Sequence, residues 1–233
     1  MTTEMKRLMV LLSLFLLISA ERQDLSGKMF TFPVASNTHH VVLSPEMEKI
    51  FTAVTVCLRA FSDISRAQSL FSLSLPSSDN GFLIFKPKQG VYQLYIFGEA
   101  GDFYGLQDES NVWNSMCVTW DTQTGLAQMW VNGLPSSRKG LKAGSTLIGT
   151  PKIILGQEQD NYGGGFSTDQ SFVGMLTDVH MWDFVLSPDQ IVYYSYGSQI
   201  QPGNVLNWNS LEFSKNGYVI IESKDTSYKA GSV

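Results

Sequence analysis

From Glu158 to Gln170 the chain sets Glu158, Gln159, Asp160, Asp169 and Gln170 around three consecutive glycines, Gly163 to Gly165. Carboxylate, amide and carbonyl oxygens on a loop that can fold back on itself are what a hard cation such as calcium requires. Calcium takes roughly six to eight oxygens, several of them from neutral amides or backbone carbonyls. The spacing is not the helix–loop–helix calcium pattern, so further ligands must come from elsewhere in the fold. A polar surface turn would use the same Gly, Asn and Asp, and the loop taken alone leaves both readings open.

The elements around this loop alternate with the period of a strand. Val54, Val56, Leu58 and Ala60 share one face of a strand, and Phe71, Leu73 and Leu75 share another with Ser72 and Ser74 opposite. Further β-prone runs are 81–85, 91–97, 116–120, 127–131, 152–155, 173–182 and 218–222. Turn signals separate them: Pro76 to Asn80, Asp121 to Gly125, and the hairpin pair Asn132-Gly133. Many short strands at this spacing predict an all-β, two-sheet antiparallel sandwich. One segment departs from the pattern. Ser187-Pro188-Asp189-Gln190 reads as a capping box with proline at the first helical position, and Gly197 as the stop, which predicts one short α-helix near 188–196. Its Tyr193, Tyr194 and Tyr196 are expected to pack on a sheet.

Residues 1–20 read as a secretory signal peptide, with Lys6 and Arg7 before an apolar run from Leu8 to Ile18 and a small-residue cleavage site at Ala20. That run is too short to span a bilayer, and no second long one follows, so a secreted protein without a membrane span is expected. Residues 21–233 form a single domain on this reading. The net charge of −5 comes without any basic block, which argues against nucleic-acid binding. The two cysteines, Cys57 and Cys117, would most simply form one disulfide in an oxidising compartment, with two free buried thiols as the alternative. His39, His40 and His180 show no zinc-ligand spacing with them. There is no N-x-Ser/Thr acceptor for N-glycosylation.

Several segments together resemble the pentraxin family. Met116-Cys117-Val118-Thr119-Trp120-Asp121-Thr122 is close to the family signature, His-x-Cys-x-Ser/Thr-Trp-x-Ser/Thr, departing from it at Ser115 where histidine normally stands. Ile154 to Asp160, Met181 to Pro188 and Asn204 to Trp208 also resemble family segments, as do Phe32-Pro33 and the strand around Cys57. The resemblance runs from about Asp24 to Tyr218. It implies a jelly-roll sandwich of the legume-lectin type with one helix on one face and two calcium ions on the other. It also implies a disulfide between Cys57 and Cys117, and a homo-oligomer, commonly a pentamer.

Carried over position by position, the resemblance assigns the first calcium to Asp79, Asn80, Glu158, the backbone carbonyl of Gln159, and Asp160. The second ion would share Glu158 and Asp160 and add Gln170 and an acidic side chain at position 167. This chain has Ser167 there, so Asp169 is the candidate replacement and the second ion is expected to be the weaker. Asp79, Glu158 and Asp160 supply three negative charges to two dications, which leaves coordination positions for an outside phosphate or carboxylate oxygen. Beside the metal the resemblance implies a ligand pocket at Phe85, Leu83 and Tyr95, with Glu99 and Asp102 as candidates to meet a choline nitrogen.

The function implied is a secreted, calcium-dependent pattern-recognition lectin of innate immunity and the acute phase, taking phosphoethanolamine, phosphocholine or anionic sugars. The complement initiator is a partner the family implies. A β-glucanase of the same sandwich type would need two carboxylates flanking a glycosidic bond, and no Glu-x-Asp-x-x-Glu run occurs. The remaining alternative is a matrix or cell-adhesion module of the laminin-G type.

Overall fold

A computed structural model describes residues 21–45 and 50–224; the expected signal peptide, residues 1–20, lies outside the described residues. The strands are β1 (Lys28–Phe32), β2 (His40–Ser44), β3 (Ala53–Phe61), β4 (Gln68–Leu75), β5 (Ser78–Lys88), β6 (Val91–Ile96), β7 (Glu99–Tyr104), β8 (Asn114–Asp121), β9 (Leu126–Val131), β10 (Leu134–Pro135), β11 (Lys139–Gly140), β12 (Lys152–Leu155), β13 (Gly174–Trp182), β14 (Glu212–Asn216) and β15 (Ile220–Ser223). One sheet runs β10-β9-β8-β3-β13-β1-β15, with β11 also on β9, and the other runs β14-β2-β12-β4-β5-β6-β7. The alternating residues of β3 (Val54, Val56, Leu58) face those of β4 and β5 (Phe71, Leu73, Phe82, Ile84) across a single core. This is the two-sheet antiparallel sandwich the alternation predicts, in the jelly-roll form the resemblance implies. The strands that sequence periodicity did not find, β1, β2, β7, β10, β11 and β14, are all short.

Local chemistry explains the joints. Asn132 (φ 51) and Gly133 (φ 79) both take left-handed conformations between β9 and β10, as a tight hairpin with right-twisted strands requires. The helix, α1, spans Pro188–Ser195 with the capping box intact: the Ser187 side chain accepts from the Gln190 backbone N–H while the Gln190 side chain accepts from the Ser187 N–H. At its other end Arg59 donates to the Tyr194 and Ser195 carbonyls, satisfying acceptors that helix geometry leaves open.

The helix rests on the outer face of the first sheet. Beneath it Cys57 and Cys117 stand opposite one another in the β3–β8 register, their Cα atoms 4.1 Å apart, joined as a disulfide. They pack with Trp130, Trp182, Leu186, Ile191 and Tyr194 in a second apolar cluster. The expectation that all three helix tyrosines pack on a sheet is corrected here. Tyr194 is buried and donates from its hydroxyl to the Asp178 carbonyl, while Tyr193 and Tyr196 are 55% and 78% exposed. Only the stripe through Ile191 and Tyr194, three residues apart, can face the sheet from so short a helix.

His180, in β13, sets an acid limit on this side of the molecule. Its Nδ1 accepts from the backbone N–H groups of Gly203 (3.3 Å) and Trp208 (3.4 Å), so the ring must be neutral. Burial holds its pKa down to about 4 against an ordinary 6.5, with Asp178 and a backbone hydrogen bond to Leu206 pulling the other way. The unfolded chain therefore binds this proton first, and stability present above pH 6.5 drains away as the pH falls towards about 4. The full span corresponds to about 3 kcal/mol. His180→Asn, whose amide oxygen can replace Nδ1 as acceptor, is expected to flatten the pH dependence of the urea midpoint in that window. An unchanged slope would assign the acid lability to other groups.

Candidate metal and ligand site

The outer face of the second sheet carries the oxygen cluster. Ser72 and Ser74 lie on the outward side of β4 as the alternation predicts, yet both are fully buried. The segment that follows β12 covers Ser72, while Ser74 Oγ donates to the Ser78 carbonyl (3.5 Å). Gln159 Nε2 donates to Ser72 Oγ (3.0 Å), to the Ser72 carbonyl (3.1 Å) and to the Lys152 carbonyl (3.0 Å), and Ser69 Oγ donates to the Gln157 carbonyl (3.0 Å). Gln159 Oε1 accepts from the Gly163 N–H, so its side chain is consumed in holding the turn. What Gln159 has left to offer an ion is its main-chain carbonyl, the group the family resemblance assigns.

Glu158 is thereby fixed at 3% exposure beside the start of β5, where Asp79 and Asn80 sit. Burial is the first cause that raises its pKa above the ordinary carboxylate value. The negative charges of Asp160 and Asp79 add to the rise, while a hydrogen bond from Asn80 opposes it. Asp79, Asn80 and Asp160 therefore all lie within interaction range of Glu158, although Asp79 is 79 positions before it in sequence. The glycine run makes the close packing possible. Gly165 has φ +78, and a Cβ there would come within 2.8 Å of Asp160 Cβ.

Two acceptor oxygens in this cluster, Asn80 Oδ1 and Glu158 Oε2, are buried and accept no hydrogen bond. Buried acceptors left unpaired are costly, and oxygen is the donor type a calcium ion takes. Among the described residues no three His, Cys, Asp or Glu side chains form a cage close enough to hold a metal by themselves. Asp79, Glu158 and Asp160 therefore do not close into a carboxylate cage here; what suits the ion is the chemistry of the set, carboxylate oxygens joined by neutral oxygens from Asn80 and the Gln159 main chain. Asp169 and Gln170 lie in a single turn of 3-10 helix, Thr168–Gln170, and Arg66 holds the Asp169 carbonyl at 3.2 Å.

Next to the oxygens, Leu83 pairs with Tyr95 and Phe85 with Gln93 across β5 and β6. Leu83 and Phe85 are only 2% and 7% exposed, and the Tyr95 ring meets Phe85 edge-on with centroids 6.3 Å apart. Tyr95 donates to Gln93 Oε1, Gln93 donates to Asp102 Oδ1 at 2.7 Å, and Tyr104 donates to Asp102 Oδ2 at 2.7 Å. Burial and the nearby charges of Asp102 and Glu158 push the Tyr95 pKa up. Asp102 is thus already engaged by two donors. Glu99 has Lys142 as an exposed partner at 3.6 Å. Neither carboxylate stands unpartnered for a choline nitrogen.

A profile of the Pentaxin family matches residues 28–223. The chain is 45% identical to serum amyloid P-component of Mus musculus over 201 residues, 86% of this chain and 89% of that one. It is 44% identical to serum amyloid P-component of Homo sapiens over 199 residues, 85% and 88% of the two chains. Among solved structures, a native heptameric SAP-like pentraxin from Limulus polyphemus superposes with TM-score 0.77 at 23% identity, covering 86% of this chain and 96% of that one. Domains LG4-5 of the mouse laminin alpha1 chain superpose with TM-score 0.52 at 14% identity, covering 74% and 46%, a likeness of fold alone. With a family profile spanning nearly all of the sandwich and relatives near 45% identity over most of their length, the chain belongs to the pentraxin family.

Proposed function

We propose that this protein is a secreted, calcium-dependent recognition lectin of innate immunity that binds phosphorylated head groups or anionic sugars through metal held on the outer face of the second sheet. The observation that carries the reading is the pair of buried, unpaired acceptors, Asn80 Oδ1 and Glu158 Oε2, set beside Asp79 and Asp160. Bound calcium would supply positive charge to an incoming phosphate or carboxylate. The chain's own part is to hold Glu158 in place through the Gln159–Ser72 clamp and to shape the adjoining surface with Tyr95 and Phe85. Pentraxins are recognition proteins rather than enzymes, and this chain is not a glycosidase. Residues 1–20 would be removed on export, leaving 21–233 as the mature domain. No described helix is long and apolar enough to cross a membrane. The heptameric Limulus relative supports a closed ring of identical subunits. Five per ring is our expectation, and the complement initiator is the partner the family suggests.

Retention on phosphoethanolamine resin in calcium, with release by chelator, tests the reading; retention in excess chelator would refute it. Free phosphoethanolamine should compete better than phosphocholine in the same assay. The Tyr95 ring stands edge-on to Phe85 (6.3 Å) where, on this reading, three choline methyls would have to fit, and such overpacking costs about 1–3 kcal/mol, or roughly 5- to 150-fold in affinity. Equal competition would mean that the ring swings aside.

Ser167 should leave the second ion weak. It contributes no charge, and its carbonyl accepts from the Gln170 N–H at 3.2 Å. Calorimetry is expected to resolve one tight and one loose calcium, and Ser167→Asp should tighten the loose one. Two equally tight ions in the natural protein would show that Asp169 has moved in.

A further inference from the structure

Two rows of side chains cross the outer face of the second sheet at its metal end. Register sets Ser72 against Leu83, Leu83 against Tyr95 and Tyr95 against Ala100; in the next row Phe85 lies against Gln93 and Gln93 against Asp102. The first row begins at the serine that Gln159 clamps, so Tyr95 shares a row with the anchor of the metal loop. The Gly98 N–H donates to the Asn80 carbonyl (3.0 Å), which brings the chain just past β6 beside that calcium candidate. The charge of Glu158 is felt at the Tyr95 hydroxyl. Tyr95 therefore borders the place where, on the proposed reading, a calcium-held phosphate would sit.

The second row fixes which way the hydrogen bonds around Tyr95 point. Hydrogen bonds from Tyr104 and then Gln93 hold the Asp102 carboxyl below its ordinary pKa, so at neutral pH it is ionised. An ionised carboxylate can only accept. Gln93 must therefore turn its amide nitrogen to Asp102 Oδ1 (2.7 Å), which leaves its amide oxygen facing the Tyr95 hydroxyl at 3.1 Å. That oxygen is an acceptor too, and it takes the one proton Tyr95 has to give. What the phenol keeps for a ligand is its lone-pair side. Tyr104 donates to the other carboxylate oxygen, Oδ2, at 2.7 Å, so Asp102 is held from turning. An acceptor suits a head group whose nitrogen carries N–H donors, and a quaternary nitrogen carries none. We propose that Asp102 is a positioning residue that, through Gln93, holds the Tyr95 hydroxyl as an acceptor and so selects phosphate esters bearing a primary ammonium. The inference rests on the calcium-held phosphate of the proposed function, and it is separate from the space the ring fills.

In the test, free phosphoethanolamine, phosphocholine and propyl phosphate, which has a methyl group in place of the ammonium, compete in calcium against immobilised phosphoethanolamine. The natural protein should prefer phosphoethanolamine to propyl phosphate, and Asp102→Asn should cut that preference about fivefold. The new amide can donate, so Gln93 is free to turn over and offer Tyr95 a donor instead of an acceptor. Phosphocholine, equally cationic but without an N–H, should keep its standing against propyl phosphate. Gln93→Met, which leaves the Asp102 charge in place, should repeat the loss. In a Tyr95→Phe background Asp102→Asn should have no further effect, because the relay has lost its end. The proposal is overturned if Asp102→Asn leaves the preference as it was, if phosphocholine falls together with phosphoethanolamine, or if the change still acts in the Tyr95→Phe background. Equal binding of phosphoethanolamine and propyl phosphate by the natural protein overturns the relay alone. Binding of neither, or binding that survives excess chelator, overturns the calcium reading and the relay with it.

Discussion

Glu158→Gln is expected to abolish calcium-dependent retention on phosphoethanolamine resin while the circular dichroism of the sandwich stays unchanged. The side chain is buried, its Oε2 has no hydrogen-bond partner, and its neighbours Asp79 and Asp160 repel it. The sign of the accompanying stability change follows from its titration. Burial first, and then the two carboxylates, raise its pKa in the folded state. The folded chain therefore holds that proton more tightly than the unfolded chain, and the calcium-free protein loses stability as the pH rises from the ordinary carboxylate range through the raised value. At neutral pH the amide should make the calcium-free protein more resistant to urea than the natural one, and calcium should no longer add resistance. A variant that still binds the resin, or one whose sheet content collapses, would remove Glu158 from the role given to it.

Loss of the disulfide should produce the largest change in stability. Cys57 and Cys117 are 60 residues apart in sequence, and a loop of that size corresponds to about 4 kcal/mol on the chain-entropy account. The double variant Cys57→Ser, Cys117→Ser also places two hydroxyls between Trp130, Trp182 and Tyr194, where no polar partner awaits them. The free energy of urea unfolding should fall by at least that amount. Calcium-dependent binding should survive in the folded fraction, because the oxygen cluster lies on the other sheet. A fall below about 1 kcal/mol would show that register pairing of β3 with β8, not the covalent link, holds this sheet together.

Much of this architecture was legible in the residues themselves. The alternation in β3 and β4, the Asn132-Gly133 turn and the Ser187 capping box each state a local geometry that the structure adopts. Weak signals came from elements whose faces do not alternate cleanly. β14, with Lys215 and Asn216 exposed on an outer strand, carries no pattern that separates it from a loop. The serines of β4 were read correctly as outward-facing, but the burial of Ser72 comes with a cover supplied by Gln159, distant in sequence. Of the candidate site, Glu158, Gln159 and Asp160 announce themselves by type and spacing. Asp79 and Asn80 look like any turn, and only likeness to a family ties them to the loop. The helix tyrosines misled because side-chain type says nothing about which side of a single short helix meets the sheet.

The strand order β14-β2-β12-β4 has a kinetic consequence. Strand β12 can take its place only when residues near position 42 and residues near position 73 have both come to meet it. Such non-local closure makes the assembly slow, since loop entropy is surrendered before contacts compensate. The Asp79–Glu158 cluster exists only after that closure, so an ion bound there would find no foothold in an early transition state. Calcium should then leave the refolding rate nearly unchanged and slow unfolding instead. On the proposed reading, an ion held there would govern how long the folded protein survives proteases more than the speed at which it folds.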